Sequence, residues 1–87
     1  MIKAWNDRAW DDYVAWQDED KKTVKRINAL LKDIERNGCL KGIGKPEALK
    51  YDLKGWYSRR IDEYNRLIYK INENGFLEIF QCKNHYE

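Results

Sequence analysis

The sequence predicts an α+β fold: an N-terminal strand, two helices, and then an antiparallel sheet of about four strands, with the helices on one face and the other face open. Three observations carry that prediction. Val24, Ile27, Leu30, Leu31 and Ile34 form one stripe at three- and four-residue spacing, with Lys21, Lys22, Lys25, Arg26 and Lys32 largely off it, and Asn37-Gly38 supplies a stop. Ahead of that helix, Ala9, Trp10, Tyr13, Val14 and Trp16 make a second, aromatic stripe assigned to the core. From Ala48 onward the chain breaks into short apolar-polar alternations separated by Gly, Asn and Asp, as strands joined by short turns do.

The totals narrow the function classes. The 87 residues are read as one domain, 1–87, large enough to bury roughly 64% of the unfolded surface without staples. A formal charge of +2 excludes coating nucleic acid by bulk charge, so any such contact must come from local clustering. Cys39 and Cys82 have neither metal-site spacing nor the number for a disulfide framework, and MIKAWNDRAW lacks the apolar run of a signal peptide. No stretch approaches membrane-spanning length. These features predict a soluble, reduced, cytoplasmic protein with no membrane partner.

Taken in order, Met1 to Trp5 is an edge or central strand, and Asn6 caps a helix over Asp7–Gln17. Asp18-Glu19-Asp20 places acids where the dipole of the second helix favours them. Gly42, Gly44 and Pro46 then enforce an irregular turn in which Lys45, before proline, is pushed toward extended geometry. A strand from about Ala48 would turn Leu49, Tyr51 and Leu53 inward and Lys50 outward. Glu47 precedes it, a carboxylate among Lys41, Lys45 and Lys50.

The segment GWYSRRIDEYNRLIYKI reads as a hairpin. A two-residue loop would pair Ile61 with Arg66 and mix apolar with charged, whereas the three-residue loop Glu63-Tyr64-Asn65 pairs Ile61 with Leu67, Arg59 with Tyr69 and Asp62 with Arg66. Arg60 and Arg66 then share the face away from the core. Asn74-Gly75 signals the next turn, and the last run puts Phe80 and Cys82 toward the helices and Gln81, Lys83 and His85 on the arginine side. Read singly, each of these polar residues fits a solvated surface. Together they supply a base, a phosphate clamp and an acid, which are the parts of a metal-free ribonuclease. The same basic face also fits a non-catalytic module that binds RNA or a peptide. Only catalysis would leave 5′-hydroxyl and 2′,3′-cyclic or 3′-phosphate ends.

WDDYVAWQDEDKKTVKRINALLKDI, GIGKPEALKYDLKGWYSRRIDEYNRLIY and a tail closing on His85-Tyr86 resemble, nearly end to end, the YoeB toxins of bacterial toxin-antitoxin modules, a branch of the RelE superfamily. The resemblance implies a RelE-like fold and a ribosome-dependent messenger RNA endonuclease with no cofactor. It implies a general base at Glu47, an assisting Lys50, phosphate-contacting Arg60 and Arg66, a general acid at His85 and a functional tyrosine at Tyr86. It also implies a cognate antitoxin, the ribosome and its messenger as partners, a homodimer, and contact with operator DNA through the antitoxin complex. Two departures stand out: Glu87 follows the tyrosine at which members usually stop, and Cys39-Leu40 replaces a proline-containing turn.

Overall fold

The computed structural model describes residues 1–85, so Tyr86 and Glu87 lie outside the described residues. Strand β1 (Lys3–Trp5) leads into helices α1 (Asp7–Glu19) and α2 (Lys21–Asn37), followed by β2 (Glu47–Ala48), a 3₁₀ turn (Tyr51–Leu53), β3 (Tyr57–Arg60), β4 (Arg66–Ile71) and β5 (Leu77–Gln81). The order across the sheet is β1-β5-β4-β3-β2. The α+β class holds, and the sheet is mixed, because β1 lies parallel to β5 at its edge while the other pairings are antiparallel. Among the described residues, no helix is long and apolar enough to cross a membrane.

Capping follows the sequence closely. Asn6 accepts the Ala9 N–H through its side chain at 2.8 Å. Asp20 ends α1 and opens α2, accepting from the Lys22 N–H at 3.0 Å and the Thr23 hydroxyl at 2.9 Å. The α2 stripe is buried as expected at Ile27, Leu30, Leu31 and Ile34, and it meets Leu67, Tyr69, Leu77 and Ile79 of the sheet. The α1 stripe is only partly core: Ala9 and Trp16 are buried, whereas Trp10 is 50% exposed and packs its ring against Trp5 and Tyr13. Trp10 and Val14 lie on the outer edge of the stripe and stay exposed.

Two strand expectations need correction. Tyr51 does not turn inward but is 92% exposed with φ 57°, because the predicted long strand stops at Ala48. Ala48 pairs with Tyr57 and the Leu49 N–H bonds to Trp56 O, so the chain must reverse within the intervening residues. In the β3–β4 hairpin Arg60 pairs with Arg66 and Arg59 with Leu67, a slip of two residues from the predicted register. Asp62 causes it by accepting from the Tyr64 N–H, the Asn65 N–H and the Asn65 side-chain amide, which closes a wider loop over 61–65. A slip of two preserves parity, so every side chain keeps its predicted face.

Arg59 is fully buried and spends all five N–H donors of its guanidinium. Nε–H donates to the Tyr69 hydroxyl; Nη1 donates to the Asp33 carboxylate and Ile43 O; Nη2 donates to Gly38 O and Lys41 O. Tyr69, whose hydroxyl burial pushes up to about 12, stays protonated and donates to Cys39 O at 2.6 Å. The segment from Gly38 to Ile43 is therefore hung on one cation. Gly42 admits this arrangement: a Cβ there would fall 1.7 Å from Asp33 Oδ2, and its φ of 114° disfavours any side chain.

Replacing Arg59 by Met should destabilise the protein by at least about 3 kcal/mol, measured by denaturant unfolding, because it orphans buried acceptors and an ion-pair partner. The hydrogen bond from Arg59 holds the Asp33 carboxyl below its ordinary value against the upward push of desolvation, with the Ile43 N–H assisting. A carboxylate depressed in the folded state contributes stability that is complete above the ordinary aspartate value of about 3.9 and lost as pH falls through the folded value. Unfolding midpoints should thus drop below about pH 4, and Asp33→Asn, weaker at neutral pH, should show a shallower acid loss.

Candidate active site

A cavity of about 250 Å³ opens on the sheet face away from the helices and is lined by Lys45, Glu47, Ser58, Arg60, Arg66 and His85. Each residue arrives by a different route. Glu47 and Ser58 face one another across the β2–β3 ladder, and Arg60 and Arg66 across the β3–β4 ladder. The Arg60 N–H donates to Gly44 O at 2.7 Å, which ties the glycine-rich loop to β3 just before Lys45. Arg66 Nη1 donates to Asp62 O at 2.9 Å, Asn65 O at 3.2 Å and Glu63 O at 3.3 Å, so one edge of this largely buried guanidinium is held by the hairpin loop. Three permanent cations thus face one carboxylate, a surplus suited to a phosphodiester and to the negative charge that grows on it during transfer.

His85 reaches the cavity because the tail is fastened on both sides of the sheet. Below, Cys82 is buried against α1: Trp16 Nε1–H donates to Cys82 O at 2.8 Å and the Cys82 N–H to Asp12 at 3.1 Å. Burial, with Asp12 behind it, pushes the Cys82 thiol up to about 12, so it is an inert packing group. Above, the Asn84 N–H donates to Asn65 Oδ1 at 2.7 Å, and Asn84 O accepts from the Arg66 N–H at 3.0 Å. The Gln81 amide reaches Lys83 O, Asn84 O and His85 O at 3.1, 3.3 and 3.3 Å. The imidazole then lies 5.9 Å from the Tyr64 ring, tilted by 45°.

The structure therefore brings together Glu47, Arg60, Arg66 and His85 of the residues singled out by sequence. Lys50 lies instead in an adjoining groove with Glu47 and Tyr51, and Tyr86 falls outside the described residues. Lys45 lines the cavity with φ 51°, a left-handed conformation rather than the extended one expected before proline. Its backbone is over-determined by the Gly44–Arg60 bond, and such outliers gather where geometry serves a site. Phe80 and Lys83 also change sides. Leu77 and Ile79 face the core, so Phe80 alternates to the open side and packs on Trp56 at 5.2 Å. It is also the extra residue of a bulge, because Ile68 pairs with Gln81 while Tyr69 pairs with Ile79, and this is what turns Gln81 to the open face and Cys82 to the core. Past the bulge the chain turns, and Lys83 pairs with Glu19 at 2.9 Å beneath α1. Sequence reading put Gln81 on the arginine side and Asn65 in the hairpin loop without giving either a role, and it missed Ser58 and Asn84. Among the described residues no group of three or more His, Cys, Asp or Glu is placed to hold a metal ion.

Residues 5–86 match the model of the YoeB-like toxin of bacterial type II toxin-antitoxin systems. The chain belongs to that family. The Toxin YoeB of Escherichia coli K12 is 48% identical over 86 residues, which cover 99% of this chain and 100% of that protein. YoeB in a heterotetrameric YoeB–YefM toxin-antitoxin complex from Staphylococcus aureus is 50% identical, with a TM-score of 0.91 over 99% of this chain and 98% of that one. YoeB from a Staphylococcus aureus YoeB dimer gives 49% identity and a TM-score of 0.92 over the same shares. The YoeB family is one of ribosome-dependent messenger RNA endonucleases, and the cavity described above has the charge such a substrate calls for.

Gln81 makes the tail testable on its own. In Gln81→Glu a carboxylate would face three carbonyl oxygens, and the loss should be about 1–3 kcal/mol. Amide hydrogen exchange should quicken at Asn84 and His85 while Leu67 and Tyr69 stay protected; unchanged exchange at the tail would remove Gln81 from this role.

Proposed function

We propose that this chain cuts messenger RNA on the ribosome by transesterification, with Glu47 as general base and His85 as general acid. The carrying observation is that a carboxylate, two arginines and a histidine from separate elements line one cavity. Glu47 takes the proton of the ribose 2′-hydroxyl, the 2′-oxygen bonds to phosphorus, the bond from phosphorus to the 5′-oxygen breaks, and His85 as imidazolium protonates that oxygen. Arg60, Arg66 and Lys45 stabilise the charge that accumulates on the phosphoryl oxygens. Lys50 acts from the neighbouring groove, and Tyr86 follows His85 directly in the chain and completes the substrate contacts.

Expression of the wild type should arrest growth and leave messenger fragments with 5′-hydroxyl ends. Arg66→Ala should slow single-turnover cleavage by about 10²–10³-fold, and Glu47→Ala or His85→Ala by about 10²–10⁴-fold. Binding of messenger with no cleavage by any form would favour the plain binding module instead.

The chain's partners follow from its relatives, an antitoxin and a second copy of itself, each supported by the Staphylococcus aureus assemblies, and the antitoxin is assigned here to the arginine face. Saturating antitoxin should abolish cutting, and the free toxin should sediment as a dimer at micromolar concentration. Operator DNA would be met through the antitoxin complex. A fully saturated complex that still cuts, or a toxin that sediments only as monomer, would count against the respective assignment.

A further inference from the structure

His85 and Glu47 each separate the central cavity from a further depression. Glu47 also walls a groove of about 420 Å³ along Ala48 to Leu53, and His85 also walls one of about 630 Å³ that includes Leu53, Tyr64, Phe80, Gln81 and Asn84. The 3₁₀ turn is the ridge between the two, since Asp52 and Leu53 contribute to both. In an in-line displacement the attacking and leaving oxygens stand on opposite sides of phosphorus. With Glu47 as base and His85 as acid, an assignment on which this inference rests, the nucleoside carrying the attacking 2′-oxygen lies on the Glu47 side. The nucleoside carrying the departing 5′-oxygen lies on the His85 side.

We propose that the His85-side groove is the binding site for the nucleoside immediately 3′ of the scissile phosphate, with its base stacked on Tyr64 and bounded by Phe80. Tyr64 is 60% exposed and has no part in the core; the Asp62 bond that orders its residue is made by the backbone N–H, not the ring. The ring stands beside the group assigned to protonate the 5′-oxygen, so a base attached through that oxygen comes within its reach. Phe80 reaches the same groove by alternating with the core-facing Ile79 and is braced by Trp56, which leaves a fixed apolar wall. Asn84 and Gln81 give the floor polar character, and Arg8 places a cation on the wall for a further phosphate. Stacking of this kind is tolerant of base identity, so the subsite takes any of the bases and prefers the larger purines.

The test is a double cycle in single-turnover cleavage of ribosome-bound messenger by the full-length toxin. One arm is Tyr64→Ala, which keeps the turn because the backbone bonds remain; the other is an abasic ribonucleotide placed 3′ of the cut, with a second messenger abasic on the 5′ side as control. Removing the 3′ base should slow the wild type by about 5- to 150-fold, Tyr64→Ala should lose a similar factor on intact messenger, and the two losses should not multiply. Losses that multiply on the 3′ side, or fail to multiply on the 5′ side instead, would overturn the subsite while leaving the nuclease standing. A wild type that cuts no messenger would overturn both.

Discussion

The architecture depends on a charge that does not line the cavity where the chemistry is proposed. Arg59 is sealed between α2 and the sheet, and burying a guanidinium is unfavourable unless every donor finds an acceptor. Here every donor does, and most of the acceptors are backbone carbonyls of one irregular segment. Leu40 and Ile43 of that segment are exposed and only Cys39 packs against the core, so its path is set largely by the cation and by Asp33, which also receives the Ile43 N–H. Gly44, Lys45 and Pro46 lead from it into Glu47. The placement of the candidate base is thus fixed by a buried ion pair on the other side of β3.

The opposite wall is fixed by a different means. The tail crosses from the helical side to the open side between Cys82 and Asn84, and each side contributes bonds: Trp16 and Asp12 below, Asn65, Gln81 and the Arg66 backbone above. The hairpin loop closed by Asp62 consequently serves twice, gripping Arg66 through its carbonyls and the tail through Asn65. Arginine clamp and histidine share one support. A perturbation of the loop should move both, whereas one in the glycine-rich segment should move Glu47 and Lys45.

This division suits a toxin of the YoeB-like family. The scaffold is rigid where helices meet sheet, while the reactive groups sit at the ends of strands and in turns, open enough to accept a substrate presented by something as large as a ribosome. Strain at Lys45 and the bulge at Phe80 are both local departures from regular geometry, and both border the cavity or its adjoining groove. A regular β5 would have turned Gln81 toward the core and Cys82 away from it.

Period and capping sufficed to locate both helices, the acidic junction between them to within a few residues, the strand-rich second half and the shared face of Arg60 and Arg66, because these depend on neighbours close in the chain. Parity survived even the wrong hairpin register, since a slip of two leaves each face intact. The sequence pattern also suggested Glu47 and His85 as members of one site, but their meeting is not a local property. What the tertiary structure alone decided was the burial of Arg59, which looks from the sequence like its exposed neighbour Arg60, the groove that Lys50 lines, and the sides taken by Phe80 and Lys83. Arg59, the bulge and Lys83 each depend on a partner distant in the chain, Asp33, Ile68 and Glu19, and no spacing rule in a single sequence encodes a partner that only folding brings near.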